Sequence, residues 1–189
     1  MPGKQTILAA LAASALPAHN MPDINIEPRM DDLAAQFEAS LSQVAGTLHA
    51  NASVELLQDK VNSLIAEGMQ VLSLVDGVQG NRQLPATPHE LKDIDFAVIE
   101  GELAVAENGA VWVPEQESHR VTPFICENLL LAVKQDALVA NMHQAVSRLT
   151  LRSGSCGAFI AGPSKTADIE QSLVVGAHGA CSLDVYLIR

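Results

Sequence analysis

Leu33, Phe37, Leu41 and Val44 recur at intervals of four, four and three, which lines one face of a helix. Asp31 and Asp32 stand just ahead of this stripe, where acidic groups complement the positive end of a helix macrodipole, and Gly46 marks its end. A second stripe, Leu57, Val61, Leu64 and Ile65, follows Ser53, a good N-cap residue, and stops at Gly68. Shorter apolar runs lack helical spacing and predict strands: TLHA, MQVLSLV, DFAVIEG, LAVAENG, AVWVP, ENLLLAV, AFIAG and SLDVYLI. Two further helices are expected. One is KQDALVANMHQAVSRL, with Leu138, Met142, Ala145, Val146 and Leu149 on one face; the other is the shorter TADIEQSLVVG.

Helices and strands alternate, and several strands are apolar on both faces. This pattern predicts a single α/β domain over residues 1–189, with a mainly parallel sheet flanked by helices. Residues 1–28 form an N-terminal helix and a linker containing Pro17, Pro22 and Pro28. The opening MPGKQTILAALAASALPAHN also has the outline of a weak signal peptide, but Ile7, Leu8, Leu11 and Ala15 fit an ordinary helix better. Residues 77–93 are rich in Gly, Pro and polar side chains and read as a plain connection, with a lid as the alternative.

Composition narrows the picture. The chain is 48% hydrophobic but only 3% aromatic, so Ala, Leu, Val and Ile must fill its core. Eleven basic residues against twenty-two acidic ones give a formal net charge of -11, which opposes binding to nucleic acid or an anionic membrane. No apolar stretch is long enough to span a bilayer, and a cytoplasmic location is expected. Cys126, Cys156 and Cys181 are dispersed and lack a CxxC, and the six histidines show no HxxxH or HxH spacing. Neither a metal site nor an iron–sulfur cluster is expected in this chain.

Candidate chemistry gathers around two turns. In SGSCGAFIAGPSKT, Gly157 and Gly162 have the spacing of a Walker loop, but Pro163 and Ser164 intervene before Lys165 and Thr166. Proline also removes an N–H that such a loop needs, and only 23 residues follow Thr166, so a nucleotide-binding loop is excluded. Two readings remain for GPSKT. Either a strand feeds a helix whose first N–H groups, with Ser164, Lys165 and Thr166, hold a small anion, or Asp168 and Glu170 simply cap that helix. AENG places Glu107 and Gly109 on a tight turn. The carboxylate there could act as nucleophile or base, although Asn-Gly is foremost a hairpin signal. His178, between Gly176 and Gly179, is the histidine best placed for a site.

The string GPSKTADIEQSLVVGAHG, followed by SLDVYLI, resembles the C-terminal signature of LUD-domain proteins, the lactate utilisation protein C family. AENGAVWV resembles that family's Glu-Thr-Gly or Glu-Ser-Gly turn, with Asn108 in place of the hydroxyl residue and Ala110 where Thr is common. The resemblance implies a fold similar to the sugar-phosphate isomerase and CoA-transferase group. It implies a role in oxidising L-lactate to pyruvate as an accessory or organic-acid-binding subunit, with iron–sulfur clusters only in partner proteins. By matching positions, Glu107, Gly109, Gly162, Ser164, Thr166, Asp168, Glu170 and His178 form the candidate functional set, with Lys165 beside them. The expected ligand is a small organic acid or other anion, and a homo-oligomer is a further expectation. Two alternatives stand: a CoA-transferase-like or sugar-phosphate-binding enzyme using Glu107, and a non-catalytic interaction module.

Overall fold

The computed structural model describes residues 3–15, 19–20, 22, 24–115, 119–150, 155–167 and 173–189. Its helices are α1 (Lys4–Ala13), α2 (Leu33–Gln43), α3 (Val54–Ala66), α4 (Thr122–Ile125) and α5 (Met142–Arg148). The first strands in chain order are β1 (Thr47–Ala52), β2 (Val71–Ser73), β3 (Phe96–Gly101), β4 (Leu103–Val105) and β5 (Ala110–Pro114). They are followed by β6 (Asn128–Lys134), β7 (Leu138–Val139), β8 (Gly157–Ile160), β9 (Lys165–Ala167), β10 (Leu173–Val175) and β11 (Ser182–Ile188).

The α2 and α3 stripes fold as their spacing predicts. Asp32 Oδ1 accepts from the Ala34 and Ala35 amides at 2.9 and 3.2 Å, and Phe37 and Leu41 are completely buried. Ser53 Oγ accepts from the Leu56 amide at 3.2 Å, and Leu57, Val61 and Leu64 face inward. α2 stops differently from expectation. Ala45, not Gly46, takes the left-handed conformation (φ 64), while the Gly46 amide donates to Leu41 O. α1 also forms, but none of its residues is buried, and Pro17 lies outside the described residues.

A five-stranded, wholly parallel sheet runs in the order β1-β11-β6-β3-β2. α3 covers one face, packing Leu57, Val61 and Leu64 on Val98, Leu130 and Tyr186. The other face meets Phe37 and Leu41 of α2 and a second sheet, ordered β7-β4-β5-β8, which supplies Ala104, Val111 and Val113. α5 closes the outer side of that second sheet, where Leu103, Val105, Trp112, Val139 and Ala145 cluster. The layers are therefore helix, parallel sheet, helix with mixed sheet, and helix. Each fully buried Leu or Phe between them contributes on the order of 1.5–3 kcal/mol. At the sheet edge, His49 Nε2 lies 2.8 Å from Asp184 Oδ1 and its ring stacks on Tyr186, pinning β1 to β11.

Two predicted helices change. The long helix over 134–149 shrinks to α5, because Leu138 and Val139 instead pair in parallel with Ala104 and Val105. Val139 is buried there and its carbonyl accepts from the Ala106 amide, so helix formation waits for Asn141, which N-caps α5 through the Gln144 amide at 3.0 Å. Val146, expected on the buried face, is 59% exposed. TADIEQSLVVG does not form a helix over its described residues: Lys165–Ala167 and Leu173–Val175 pair as an antiparallel hairpin. Thr166, Val174 and Val175 are β-branched, and Gly176 turns the chain at φ 80, which together favour extended backbone.

Residues 77–93 are a pinned connection. Asn81 bridges the Val71 amide and the Met69 carbonyl, Arg82 makes two bonds to Asp93 at 2.9 and 3.1 Å, and Leu91 is fully buried. The Arg82 guanidinium holds the Asp93 carboxyl below its usual range.

Candidate functional site

Neither chemical turn lies at the carboxyl end of the parallel sheet; both belong to the second sheet and converge on the C-terminal half of α2. Glu107, Asn108 and Gly109 form the turn of the β4–β5 hairpin. The Gly109 amide donates to Val105 O at 3.0 Å, and Asn108 Oδ1 accepts from the Ala110 amide at 3.1 Å. Gly109 has φ 71, and a Cβ there would sit 2.7 Å from the Leu41 backbone. A left-handed backbone pressed on a helix leaves only glycine acceptable. Ser40 Oγ donates to Ala106 O at 2.8 Å and fixes the same contact from the helix side.

The Glu107 carboxylate is already engaged. Its Oε2 accepts from the Met142 amide, the first residue of α5, at 3.0 Å. This satisfies one of the N–H groups that a helix start leaves unpaired and places negative charge at the positive end of its dipole. Asn141 caps the same end and donates through Nδ2 to Ile26 O at 2.9 Å, tying in the chain before α2.

GPSKT meets α2 one turn further on. Gly162 has φ 72, and a Cβ would fall 2.1 Å from Val44 O. Lys165 Nζ donates to that same carbonyl at 2.8 Å, so the lysine caps the C-terminus of α2. The Ser164 amide donates to Ala180 O at 2.8 Å, and Ser164 O accepts from the Gly176 amide at 2.9 Å. These bonds lock the turn to the 176–180 loop that carries His178. Among the described residues, β9 and not a helix follows the turn, so no helix start there presents its N–H groups to an anion, and Thr166 sits in β9 opposite Val174. Asp168 and Glu170 lie outside the described residues.

The structure thus brings Gly162, Ser164 and His178 together and separates them from Glu107 in role. The three line a pocket of about 250 Å³ with Phe124, Phe159 and Ile160 on its walls. Leu129 and Leu183, near the first residues of β6 and β11, also line it, so it opens at the amino end of the parallel sheet. A neighbouring apolar pocket of about 160 Å³ shares Pro123 and Phe124 and holds His119, Arg120, Glu115 and Cys156 on its rim. Arg120 Nε donates to Glu115 Oε1, and the Cys156 amide donates to Oε2 at 3.1 Å. Both bonds, the arginine's first, hold the Glu115 carboxyl below its usual range. By contrast, burial pushes the Cys126 thiol up to about 12, which makes it a poor nucleophile and a poor ligand.

Sequence reasoning missed a further depression, at the opposite end of the same strands. Lys134, Glu100 and Asp76 line a pocket of about 220 Å³ where β6, β3 and β2 end. The sequence pattern predicts a mainly parallel sheet, but the strand order that brings these three strand ends together is not visible in it. Among the described residues, no group of three or more His, Cys, Asp or Glu is placed to hold a metal ion.

A family model described as LUD domain matches residues 85–188, more than half of the chain. The chain belongs to the LUD-domain family. That stretch contains the β4–β5 hairpin, the GPSKT turn and the final strand. Among LUD-domain relatives, "Lactate utilization protein C" of Shouchella clausii is 31% identical over 105 residues, covering 52% of this chain and 46% of that protein. The match therefore spans less than half of that relative's length. "Lactate utilization protein C" of Deinococcus radiodurans is 25% identical over 195 residues, covering 97% of this chain and 92% of that protein. The crystal structure of a DUF162 family protein from Deinococcus radiodurans superposes with a TM-score of 0.61 at 16% identity, over 83% of this chain and 96% of that one. This likeness confirms the α/β fold. No helix among the described residues is long and apolar enough to cross a membrane.

Proposed function

We propose that this LUD-domain protein serves L-lactate utilisation as an accessory, organic-acid-binding subunit, with the electrons of lactate oxidation passing to iron–sulfur partner proteins. The observation that carries this reading is the alignment, over 97% of the chain, with a relative named "Lactate utilization protein C". The site chemistry supports it. The two turns that carry the family resemblance are built to hold α2, α5 and the 176–180 loop in place, as expected of a subunit that binds and positions. Glu107, the one candidate nucleophile of a CoA-transferase-like route, spends its carboxylate on the start of α5.

Gene deletion tests the role directly. Loss of the gene should abolish growth on L-lactate as sole carbon source while leaving growth on glucose intact, and the intact chain supplied in trans should restore it. Unchanged growth on lactate after deletion would remove the proposal. Co-purification from lactate-grown cells tests the partner assignment: proteins bearing iron–sulfur absorbance should accompany the tagged chain, and their absence would sink that part.

A further inference from the structure

We infer that the organic acid binds at the carboxyl edge of the parallel sheet, in the pocket lined by Lys134, Glu100 and Asp76, and that the site is built for a small 2-hydroxy carboxylate. This rests on the proposed organic-acid role but assigns it to residues outside the two family turns.

Topology supplies the first argument. Ligands of open parallel sheets sit beyond the carboxyl ends of the strands, where successive connections leave on opposite faces. Here β1 feeds α3 on one face, while the connections after β3 and β6 run on the other. The pocket lies where those paths part. It is lined by Val54 at the start of α3, Val133 and Lys134 at the end of β6, and Ile188 at the end of β11.

Chemistry supplies the second. The pocket measures about 220 Å³. At about 30 Å³ per water, that is room for a ligand of roughly six to ten heavy atoms, and too little for a coenzyme. Val54, Val75, Val133 and Ile188 make an apolar wall on which a methyl group can rest. Lys134 is exposed at the mouth and, among the described residues, is the one cation that lines the pocket; it also borders the adjoining open depression that holds Asp136 and Arg189, whose guanidinium donates to Asn51 Oδ1. Lys134 pairs with the carboxylate of the ligand, and Asp76 and Glu100 accept from its hydroxyl. A 2-oxo acid has no hydroxyl to donate and leaves those carboxylates facing a carbonyl oxygen, so it binds more weakly.

The test is calorimetric titration of sodium L-lactate, pyruvate and acetate into the full chain and three variants. These are Lys134→Met, the double change Asp76→Asn with Glu100→Gln, and His178→Ala in the opposite pocket; thermal melts confirm that each is folded. L-lactate should bind the unaltered chain more tightly than pyruvate or acetate. Lys134→Met should weaken it roughly tenfold or more, as loss of a charge-assisted bond does. The double variant should erase the preference for lactate over pyruvate, and His178→Ala should leave binding unchanged. Weakening by His178→Ala equal to or greater than that by Lys134→Met overturns the inference, as does absence of lactate binding. Neither outcome decides the gene-deletion experiment, which judges the role in lactate utilisation separately.

Discussion

Glu107 shows how a carboxylate on a turn that resembles a family motif can do structural work. Because its carboxylate accepts from the Met142 amide, Glu107→Gln retains an acceptor and should cost no more than about 1 kcal/mol, whereas Glu107→Ala leaves a helix-start N–H unpaired and should cost about 1–2 kcal/mol. Growth on lactate with Glu107→Gln in place should match the unaltered gene; abolished growth in a stably folded variant would restore the nucleophile reading. Gly162→Ala should be harsher, since it forces a left-handed backbone and a clash with Val44 O, and a loss of about 2 kcal/mol or more is expected in denaturant titration. Cys126 gives a pH signature. Its thiol rises on folding from an ordinary 9.0 to about 12, so the folded state holds that proton more tightly. The contribution is fully present below pH 9 and is lost as pH climbs towards 12. Stability should therefore decline over that window, and Cys126→Val should flatten part of the decline; an unchanged alkaline slope would refute the assignment.

At the scale of elements, the sequence was most legible where side-chain spacing and capping agreed. α2 and α3 have both a 3.6-residue stripe and a residue suited to a helix start, and the structure uses Asp32 and Ser53 as their N-caps. The failures share a cause. Over 134–149, the helical spacing of Leu138 with Met142 and Ala145 was real but competed with a tertiary pairing to β4, which no local pattern reveals. Over 166–176, the acidic residues suit the start of a helix, while the β-branched Thr166, Val174 and Val175 favour the strands that pair. The candidate site was legible only as a family marker. Gly109 and Gly162 stand out in the sequence, and in the structure both approach α2 closely, a contact across more than 60 residues of chain. Asn141 is where this long-range order is most exposed to test. Asn141→Ala removes both the α5 cap and the bond to Ile26 O, and should cost about 1–2 kcal/mol. Hydrogen exchange should then quicken in residues 142–148 more than in α3; uniform quickening would contradict a local anchoring role.

At the scale of the whole molecule, the parallel sheet separates two pockets. β6 runs from Asn128 at the GPSKT end to Lys134 at the other, about 20 Å at the rise of an extended strand. α1 belongs to neither end. It buries no residue, and Ile7, Leu8 and Leu11 are 52%, 53% and 61% exposed. A ten-residue helix with no packed face gains little from propensity alone and contributes nothing to the three core clusters. Removal of residues 1–20 should therefore leave the midpoint of chemical denaturation within about 0.5 kcal/mol of the full chain. It should also raise solubility, because apolar side chains that cover nothing favour self-association. A loss of 2 kcal/mol or more would mean instead that the segment is bound to the body in solution, and that the helix has a packed state in which those three side chains are covered.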